Sequence, residues 1–446
     1  MSAERVRCLV TGATGYIGAR LVPRLLREGH WVRALARDPA KLAELPWREQ
    51  ADVVRGDLGD VDSLIAAFDG IDVVYYLVHS MGTSKDFAID EARAVDNVVT
   101  AARERGVQRV VYLGGLHPED GYLSPHLESR KAVGEALIDS GIEAVVLQAG
   151  VVVGSGSASF EMIRHLTDRL PVMTTPKWVR NRIQPIAVRD VLHYLVAAAT
   201  AAVPSSRAWD IGGPDVLEYG DMMRVYAEVA GIGRRYLIAL PFLTPTIASL
   251  WVGTVTPIPA GLARPLVESL ECDAVMRNVD IDSIIAQPAG GLTNYRRAVA
   301  LALDRAAHGQ PAATFSAMRS EPSQPLPSDP AWAGETVYTD VRTAASGAAP
   351  ERVLAAAESA ADESRCWAVA EREPANSLRL RSTQRSPGKA WLEITVEPRD
   401  GGGSTYIQRS IFVPTGIVGR LYWYVMWPLH VTASRTLARD IVAAAR

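Results

Sequence analysis

The stretch Val10-Thr11-Gly12-Ala13-Thr14-Gly15-Tyr16-Ile17-Gly18 constrains this chain more than any other. It comes after the apolar run Val6 to Val10 and leads into Ala19-Arg20-Leu21-Val22-Pro23-Arg24-Leu25-Leu26, in the order strand, glycine-rich turn, helix. Gly12 lets the chain turn off the strand, Gly15 lets backbone approach a pyrophosphate, and Gly18 lets helix pack on strand. The N–H groups at that helix start then face the phosphates. Glycines at this spacing also occur in loops that bind nothing, so the strand before and the helix after carry the reading.

The alternation of strand and helix continues down the chain. Trp31 to Ala36, Asp52 to Arg55, Asp72 to Val78, Arg109 to Leu113 and Ala144 to Val153 read as strands. Val61 to Phe68, Glu91 to Arg105 and Leu127 to Asp139 read as helices between them. The run Asp72-Val73-Val74-Tyr75-Tyr76-Leu77-Val78 is nearly continuous in apolar residues, as a strand covered on both faces should be. Strands alternating with helices in this way predict an α/β, doubly wound parallel sheet with right-handed crossovers.

The end of the second strand bears on the choice of dinucleotide. A site for NAD(H) usually has an acidic residue there to hold the ribose 2′-hydroxyl, whereas this chain has Ala36-Arg37. The Arg37 guanidinium could pair with a 2′-phosphate, so NADP(H) is favoured over NAD(H). Arg37 as a solvated loop charge is the alternative. Asp57, in Gly56-Asp57-Leu58, is placed to accept from an adenine amino group, or is a plain turn aspartate. The residues expected to touch the dinucleotide are therefore Gly12, Thr14, Gly15, Tyr16, Ile17, Gly18, Arg37, Asp57, Leu58, Leu77, Val78 and His79.

At 446 residues the chain should hold about two or three domains, and 48% hydrophobic residues suffice for large cores. A formal net charge of −3 without a basic cluster argues against nucleic acid as a partner. Cys8, Cys272 and Cys366 lie far apart and make no metal-ligand spacing, so neither a metal site nor a disulfide framework is expected. The N-terminus shows no basic region followed by an apolar segment, and a cytoplasmic, reducing compartment is expected.

Tyr236 to Ala263 contains no charged residue, which is long enough to cross a bilayer. Pro241, Pro245, Pro257 and Pro259 interrupt it and argue against a spanning helix. A buried apolar segment, the wall of a lipophilic pocket, or a surface dipping into the membrane interface remain. A small apolar substrate or lipid-like ligand is the expected partner, with peripheral membrane contact as an option and no reading of the oligomeric state.

Within residues 1–308, the part from 154 onward loosens into a lobe that should close over a substrate, beyond the carboxyl ends of the strands. It contains the amphipathic Phe160 to Leu170, the helices Val188 to Ala202 and Tyr219 to Val229, and the strand Ala208 to Ile211. Residues 309–330 are rich in proline and serine and read as a linker. Residues 331–446 form a separate α+β unit. Its strands fall at Thr336 to Arg342, Cys366 to Ala370, Ser377 to Arg381, Ala390 to Val396 and Tyr406 to Val413, with a helix at Pro350 to Ala361. It ends in the aromatic helix Leu421-Tyr422-Trp423-Tyr424-Val425-Met426-Trp427, continuing past Pro428. That run reads as core packing, with an interfacial belt as the alternative.

The glycine turn, Arg37, Gly56-Asp57-Leu58 and Gln184-Pro185-Ile186-Ala187-Val188-Arg189-Asp190 together resemble the extended-type, atypical short-chain dehydrogenase/reductase superfamily over roughly the first 300 residues. The whole chain is similar to bacterial proteins that join such a domain to a C-terminal domain of unknown function, DUF2867. The segment Gly416-Ile417-Val418-Gly419-Arg420-Leu421-Tyr422-Trp423-Tyr424 with Pro428-Leu429-His430 is similar to that domain's closing helix. The domain is also reminiscent of the helix-grip fold, whose members bind apolar ligands between sheet and helix.

The resemblance implies a Tyr-x-x-x-Lys pair on the helix after the fifth strand and a serine at that strand's end. Aligning on Ser129 puts His126 at the tyrosine position and Arg130 at the lysine position; aligning on Gly134-Glu135 shifts these to Leu127 and Lys131. Neither register supplies the tyrosine. The fifth strand ends in Leu113-Gly114-Gly115-Leu116, without the serine. His126 beside Arg130 is a candidate general acid, and His79 at the tip of the fourth strand is another, each with a hydrogen-bonded loop histidine as its alternative. The chain reads as an NADP(H)-dependent reductase or isomerase of an apolar carbonyl or quinone-like substrate. The alternative is a sensor or scaffold that holds the dinucleotide without turnover and engages a lipid or a membrane-associated partner.

Overall fold

The computed structural model describes residues 5–78, 87–175, 177–239, 252–253, 255–307, 326–330, 332–334, 336–364, 366–373, 377–399 and 402–445. The chain divides into two compact units, one of Met1–Thr167 with Pro171–Gly334, the other of Asp168–Leu170 with Glu335–Arg446.

The first unit is built on β1 (Arg7–Val10), β2 (Trp31–Ala36), β3 (Asp52–Arg55), β4 (Val73–Tyr76), β5 (Arg109–Gly115) and β6 (Glu143–Ala149). The short strands β7 (Val152–Val153), β8 (Val172–Thr175), β9 (Arg182–Ile183) and β10 (Ile186–Ala187) precede β11 (Arg207–Ile211), β12 (Leu217–Glu218) and β13 (Tyr236–Ala239). Its helices are α1 (Gly18–Arg27), α2 (Val61–Ala67), α3 (Phe87–Glu104), α4 (Pro125–Ile138), α5 (Ala158–Arg169), α6 (Val188–Ala197) and α7 (Tyr219–Val229), followed by Ala260–Glu268 and Tyr295–Ala307.

Seven strands form one parallel sheet in the order β11-β6-β5-β4-β1-β2-β3. The order reverses at β1 and β4, which places a crevice beyond their carboxyl ends, the position where open α/β sheets bind ligands. Both faces of the sheet are buried, and alternate residues divide cleanly between them. Val10, Ala34, Tyr75, Val111 and Leu147 enter one core with α1 and α6. Leu9, Leu35, Val74, Val110 and Val146 enter the other with residues of α2, α3 and α4. Each such valine or leucine contributes about 1.5–3 kcal/mol of burial, so the two cores hold the strand ends rigidly under the glycine turn.

The run read as one strand from Ala144 to Val153 is two, β6 and β7, with Gly150 between them. The reason is packing: a Cβ on Gly150 would come within 2.8 Å of the Gln184 carbonyl oxygen, so the chain leaves the sheet there to pair β7 with β10. Part of the uncharged stretch forms β13, which pairs with β8. Residues 240–251 and 254 of that stretch lie outside those described. Among the described residues no helix is long and apolar enough to cross a membrane.

The second unit carries β14 (Tyr338–Ser346), β15 (Trp367–Glu373), β16 (Ser377–Ser382), β17 (Gly388–Pro398) and β18 (Ser404–Pro414), in the antiparallel order β14-β18-β17-β16-β15. The helix Pro350–Ser364 and the long terminal helix Gly416–Ala444 complete it. Val353 and Ala357, Leu392 and Ile394, and Ile441 and Val442 share one core. Gln408 ties sheet to terminal helix by donating to the Ser434 hydroxyl at 2.9 Å and accepting from the Tyr406 hydroxyl at 2.8 Å.

Candidate functional site

The glycine turn is held from both sides. Thr11 donates its backbone N–H and its hydroxyl to the Tyr75 carbonyl oxygen, at 3.0 and 2.9 Å, and its hydroxyl accepts from the Leu77 N–H at 3.1 Å. The ends of β1 and β4 are thereby fixed together. Gly12 has φ +66°, and a Cβ there would lie 3.0 Å from the Leu77 carbonyl oxygen. A Cβ on Gly18 would come within 2.2 Å of the Gly12 carbonyl oxygen. Two of the three glycines are therefore required by the chain's own packing, and Gly15 lies exposed at the mouth of the turn.

The first turn of α1 begins at Ile17 with no side chain capping it and no acidic residue within it. Ala19 and Arg20 already give their N–H groups to the Gly15 and Ile17 carbonyl oxygens, at 3.0 and 3.1 Å, so it is the positive end of the helix that the turn presents to the crevice. Thr14 is half-buried beside it. Tyr16 is turned inward: its hydroxyl is buried with no hydrogen-bond partner among the described residues. Its ring lies 4.1 Å from the Arg20 guanidinium carbon, and a Cβ on Gly154 would meet its hydroxyl at 2.3 Å. Burial pushes its hydroxyl well above the usual phenol range. Its carbonyl oxygen accepts from Arg20 at 3.1 Å.

Arg37 comes directly after β2 and is exposed, while the neighbouring Asp38 carboxylate is engaged with the Ala40 N–H at 3.1 Å. Asp57 is exposed beyond β3, with one carboxylate oxygen accepting from the Gly59 N–H at 2.9 Å. Leu58 is buried, and its carbonyl oxygen accepts from Asn97 at 2.8 Å, which anchors this loop to α3. Leu77 and Val78 sit half-buried at the end of β4. His79 lies outside the described residues. A turn with no room for side chains, an uncapped helix start and an exposed guanidinium after β2 together fit a dinucleotide with its pyrophosphate on the turn.

On α4, Arg130 reaches the end of β5, and His126 lies about one helical turn before it. His126 is buried, and desolvation, reinforced by the Arg130 charge, pushes its imidazole down to about 3. It is neutral at neutral pH, so it has no spare proton to give as an imidazolium. Arg130 donates from Nη2 to the Leu113 carbonyl oxygen at 2.9 Å. A Cβ on Gly115 would lie 3.7 Å from its Nε. The bare end of β5 thus lies in ordinary contact with the guanidinium, and the tighter neighbour of that position is Leu127 Cδ2, 3.2 Å from the same Cβ. Lys131, from the other register, pairs instead with Glu135 at 3.7 Å.

A second constellation has no signature in the sequence. Asp210, fully buried near the end of β11, holds Arg277 in an ion pair of 3.3 Å. Arg277 donates to the side-chain oxygen of Gln148 on β6, and the Gln148 amide lies 3.3 Å from His117 Nε2. Because the Gln148 oxygen faces Arg277, its nitrogen donates to His117, whose proton then sits on Nδ1 and bonds the Pro118 carbonyl oxygen at 2.9 Å. Burial, together with the charges of Arg277 and Lys131, holds His117 below the usual imidazole range against the raising effect of that bond and of Asp210. Gln184 positions Arg277 by accepting from the Met276 N–H at 3.1 Å and donating to the Gly213 carbonyl oxygen at 2.8 Å. Only Gln184 among these residues belongs to a motif visible in the sequence.

A cavity of about 310 Å³ in the same unit is lined by Arg24, Val188, Asp190, His193 and Leu301 among others, and by none of the turn residues. Asp190 there accepts from the Thr293 N–H at 2.8 Å, a fold contact. Among the described residues no cluster of histidine, cysteine, aspartate and glutamate could hold a metal.

Residues 12–159 match a family model described as NAD(P)H-binding, and residues 354–436 match one described as protein of unknown function (DUF2867). A 3β-hydroxysteroid dehydrogenase/Δ5→4-isomerase of Mycobacterium tuberculosis is 37% identical over 123 residues, 25% of this chain and 32% of that protein. Cinnamoyl-CoA reductase 1 of Oryza sativa is 38% identical over 125 residues, 26% of this chain and 37% of that protein. The chain thus spans about a third of the length of these relatives. Among solved structures, a Citrobacter triphenylmethane reductase complexed with NADP(H) superposes with a TM-score of 0.53 at 18% identity, covering 67% of this chain and all of that one. An NADPH-dependent quinone oxidoreductase of Escherichia coli gives 0.51 at 18% identity, covering 66% and 98%. At such identities the structural likeness shows the fold alone.

Proposed function

We propose that this chain, which joins an NAD(P)H-binding domain of the short-chain dehydrogenase/reductase type to a DUF2867 domain, is an NADP(H)-dependent reductase of an apolar, quinone-like acceptor. The observation that carries the reading is the Arg130 guanidinium, anchored on the Leu113 carbonyl across the glycine end of β5, beside a neutral His126.

When bound, the reduced nicotinamide supplies a hydride. Gly15 leaves space for the pyrophosphate in a turn that Gly12 and Gly18 allow to close, and the N–H groups of that turn and the positive end of α1 bind it. Arg37 pairs with the 2′-phosphate, which selects NADPH over NADH. Asp57 accepts from the adenine amino group. A saturated ketone reduced without a proton donor becomes a strongly basic alkoxide. A quinone-like acceptor becomes a stabilised phenolate and can take its proton from water. A site with a fixed cation and without the Tyr-x-x-x-Lys tyrosine suits the second kind of acceptor, because Arg130 offsets the charge that develops on oxygen. The acceptor would gain one hydride from the reduced nicotinamide and one proton from solvent.

The test is NADPH oxidation across a panel of quinones and simple ketones. Turnover confined to the quinones supports the reading; binding of NADPH without turnover of any acceptor refutes it. The second reading, a sensor that holds NADPH unconsumed, is favoured by the depressed His126 and the missing tyrosine. It predicts stabilisation by about 2.7 kcal/mol when NADPH is at 100 times its dissociation constant, with no consumption.

A further inference from the structure

The terminal helix of the second unit has two unlike faces. Trp423 points inward and lies flat over the cross-strand pair Tyr338 and Phe412, at centroid distances of 5.2 and 5.5 Å and interplanar angles of 6° and 10°. Gly419, Ser434, Ala438, Ile441 and Val442 are buried on that same inner side. The outer side over the first half of the helix is apolar and exposed. Val418 is 63% exposed, Leu421 59%, Tyr424 66%, Val425 73% and Leu429 63%. At 3.6 residues per turn these positions fall on one stripe, about 18 Å long from Ile417 to Leu429.

A stripe of this size costs free energy in water, and globular proteins rarely keep one uncovered without a use. Its charge pattern says what covers it. From Gly416 to Arg439 there is no acidic residue, and the continuation of the same face carries the exposed Arg435 and Arg439 before Asp440. Arg435 stands eighteen residues after Ile417, which is five full turns, so apolar stripe and cations share one line. Tyr424 adds an exposed ring with a polar tip, suited to the boundary between acyl chains and headgroups, whereas Trp427 turns back onto Trp423, with 5.2 Å between centroids. An apolar face that grades into cations along one helix matches a bilayer surface bearing anionic lipid.

We propose that the outer face of this helix docks the protein on anionic membrane surface, lying in the interface plane with its aromatic inner face still clamped to the sheet. The full chain is floated with vesicles of phosphatidylcholine alone and with vesicles of equal parts phosphatidylcholine and phosphatidylglycerol. The protein should bind the mixed vesicles about tenfold or more tightly than the neutral ones. The double change Leu421→Glu and Val425→Glu should abolish binding with NADPH affinity unchanged, and Arg435→Glu with Arg439→Glu should remove the preference for the mixed vesicles. Failure to bind either vesicle, equal binding to both, or binding that survives the two glutamates would overturn the proposal. A concentration-dependent dimer that Leu421→Glu dissociates, without vesicle binding, would overturn it too and assign the face to a second copy of the chain.

Discussion

Arg20, in the first turn of the helix after the glycine turn, is held by Asp329, 309 residues further on, through two bonds of 2.8 and 2.6 Å in a pair that is almost fully buried. The same guanidinium donates to the Tyr16 carbonyl at 3.1 Å, so a residue from the far end of the first unit braces the dinucleotide turn. Removing one partner of a buried pair leaves an uncompensated charge. Asp329→Asn should destabilise the protein by about 3–5 kcal/mol in denaturant unfolding, and NADPH should restore part of that loss. An unchanged midpoint would show that Asp329 is only an accessory to the turn.

Gly18→Ala places a methyl group within 2.2 Å of the Gly12 carbonyl. The turn cannot keep its shape with both atoms present. Calorimetry should show NADPH affinity reduced at least about a hundredfold, because several N–H contacts to the pyrophosphate are misplaced together. Affinity within a few-fold of the unchanged protein would contradict the packing described for this turn.

Arg37→Ala should weaken NADPH by about tenfold or more, the range of one charge-assisted bond, and leave NADH nearly unaffected. Parallel titrations with both dinucleotides check this. Equal losses for both would mean that Arg37 does not meet the 2′-phosphate.

His126 gives a pH signature. Its imidazole is held at about 3 in the folded chain, below the ordinary 6.5. As pH falls through 6.5 the unfolded chain takes up the proton and the folded chain does not. Stability that is complete above about pH 6.5 is therefore lost on the way down towards 3, at up to about 1.4 kcal/mol per pH unit. His126→Gln should flatten that part of the stability profile in urea melts. A profile unchanged by the substitution would show that His126 is solvated.

Much of the fold is legible because it rests on local signals. The bounds of β2 and of α7 come from hydrophobic period alone, and α7 is further marked by a capping box between Glu218 and Asp221. The helix Tyr295–Ala307 is hard to see in the sequence because the small Ala298 and Ala302 share its buried face with Tyr295 and Val299, which gives a faint period. Strands of two residues such as β7 and β10 exist only through each other and leave no local trace. In the site, the glycine turn is a short-range motif and reads directly. Arg20 with Asp329, and Gln148 with Arg277, join residues 309 and 129 positions apart, and no spacing rule connects them. The depth of burial that keeps His126 neutral is equally hidden, although the Arg130 charge that reinforces it stands only four residues away.

The most direct test of the account is the rate at which a quinone-like acceptor oxidises NADPH and nicotinamide-deuterated NADPH, compared between the unchanged protein and Arg130→Met. Hydride transfer requires slower oxidation of the deuterated cofactor, and the role of Arg130 a rate about a hundredfold lower in the variant with NADPH affinity retained. Bound NADPH that no acceptor oxidises, or a rate that Arg130→Met leaves untouched, would contradict it.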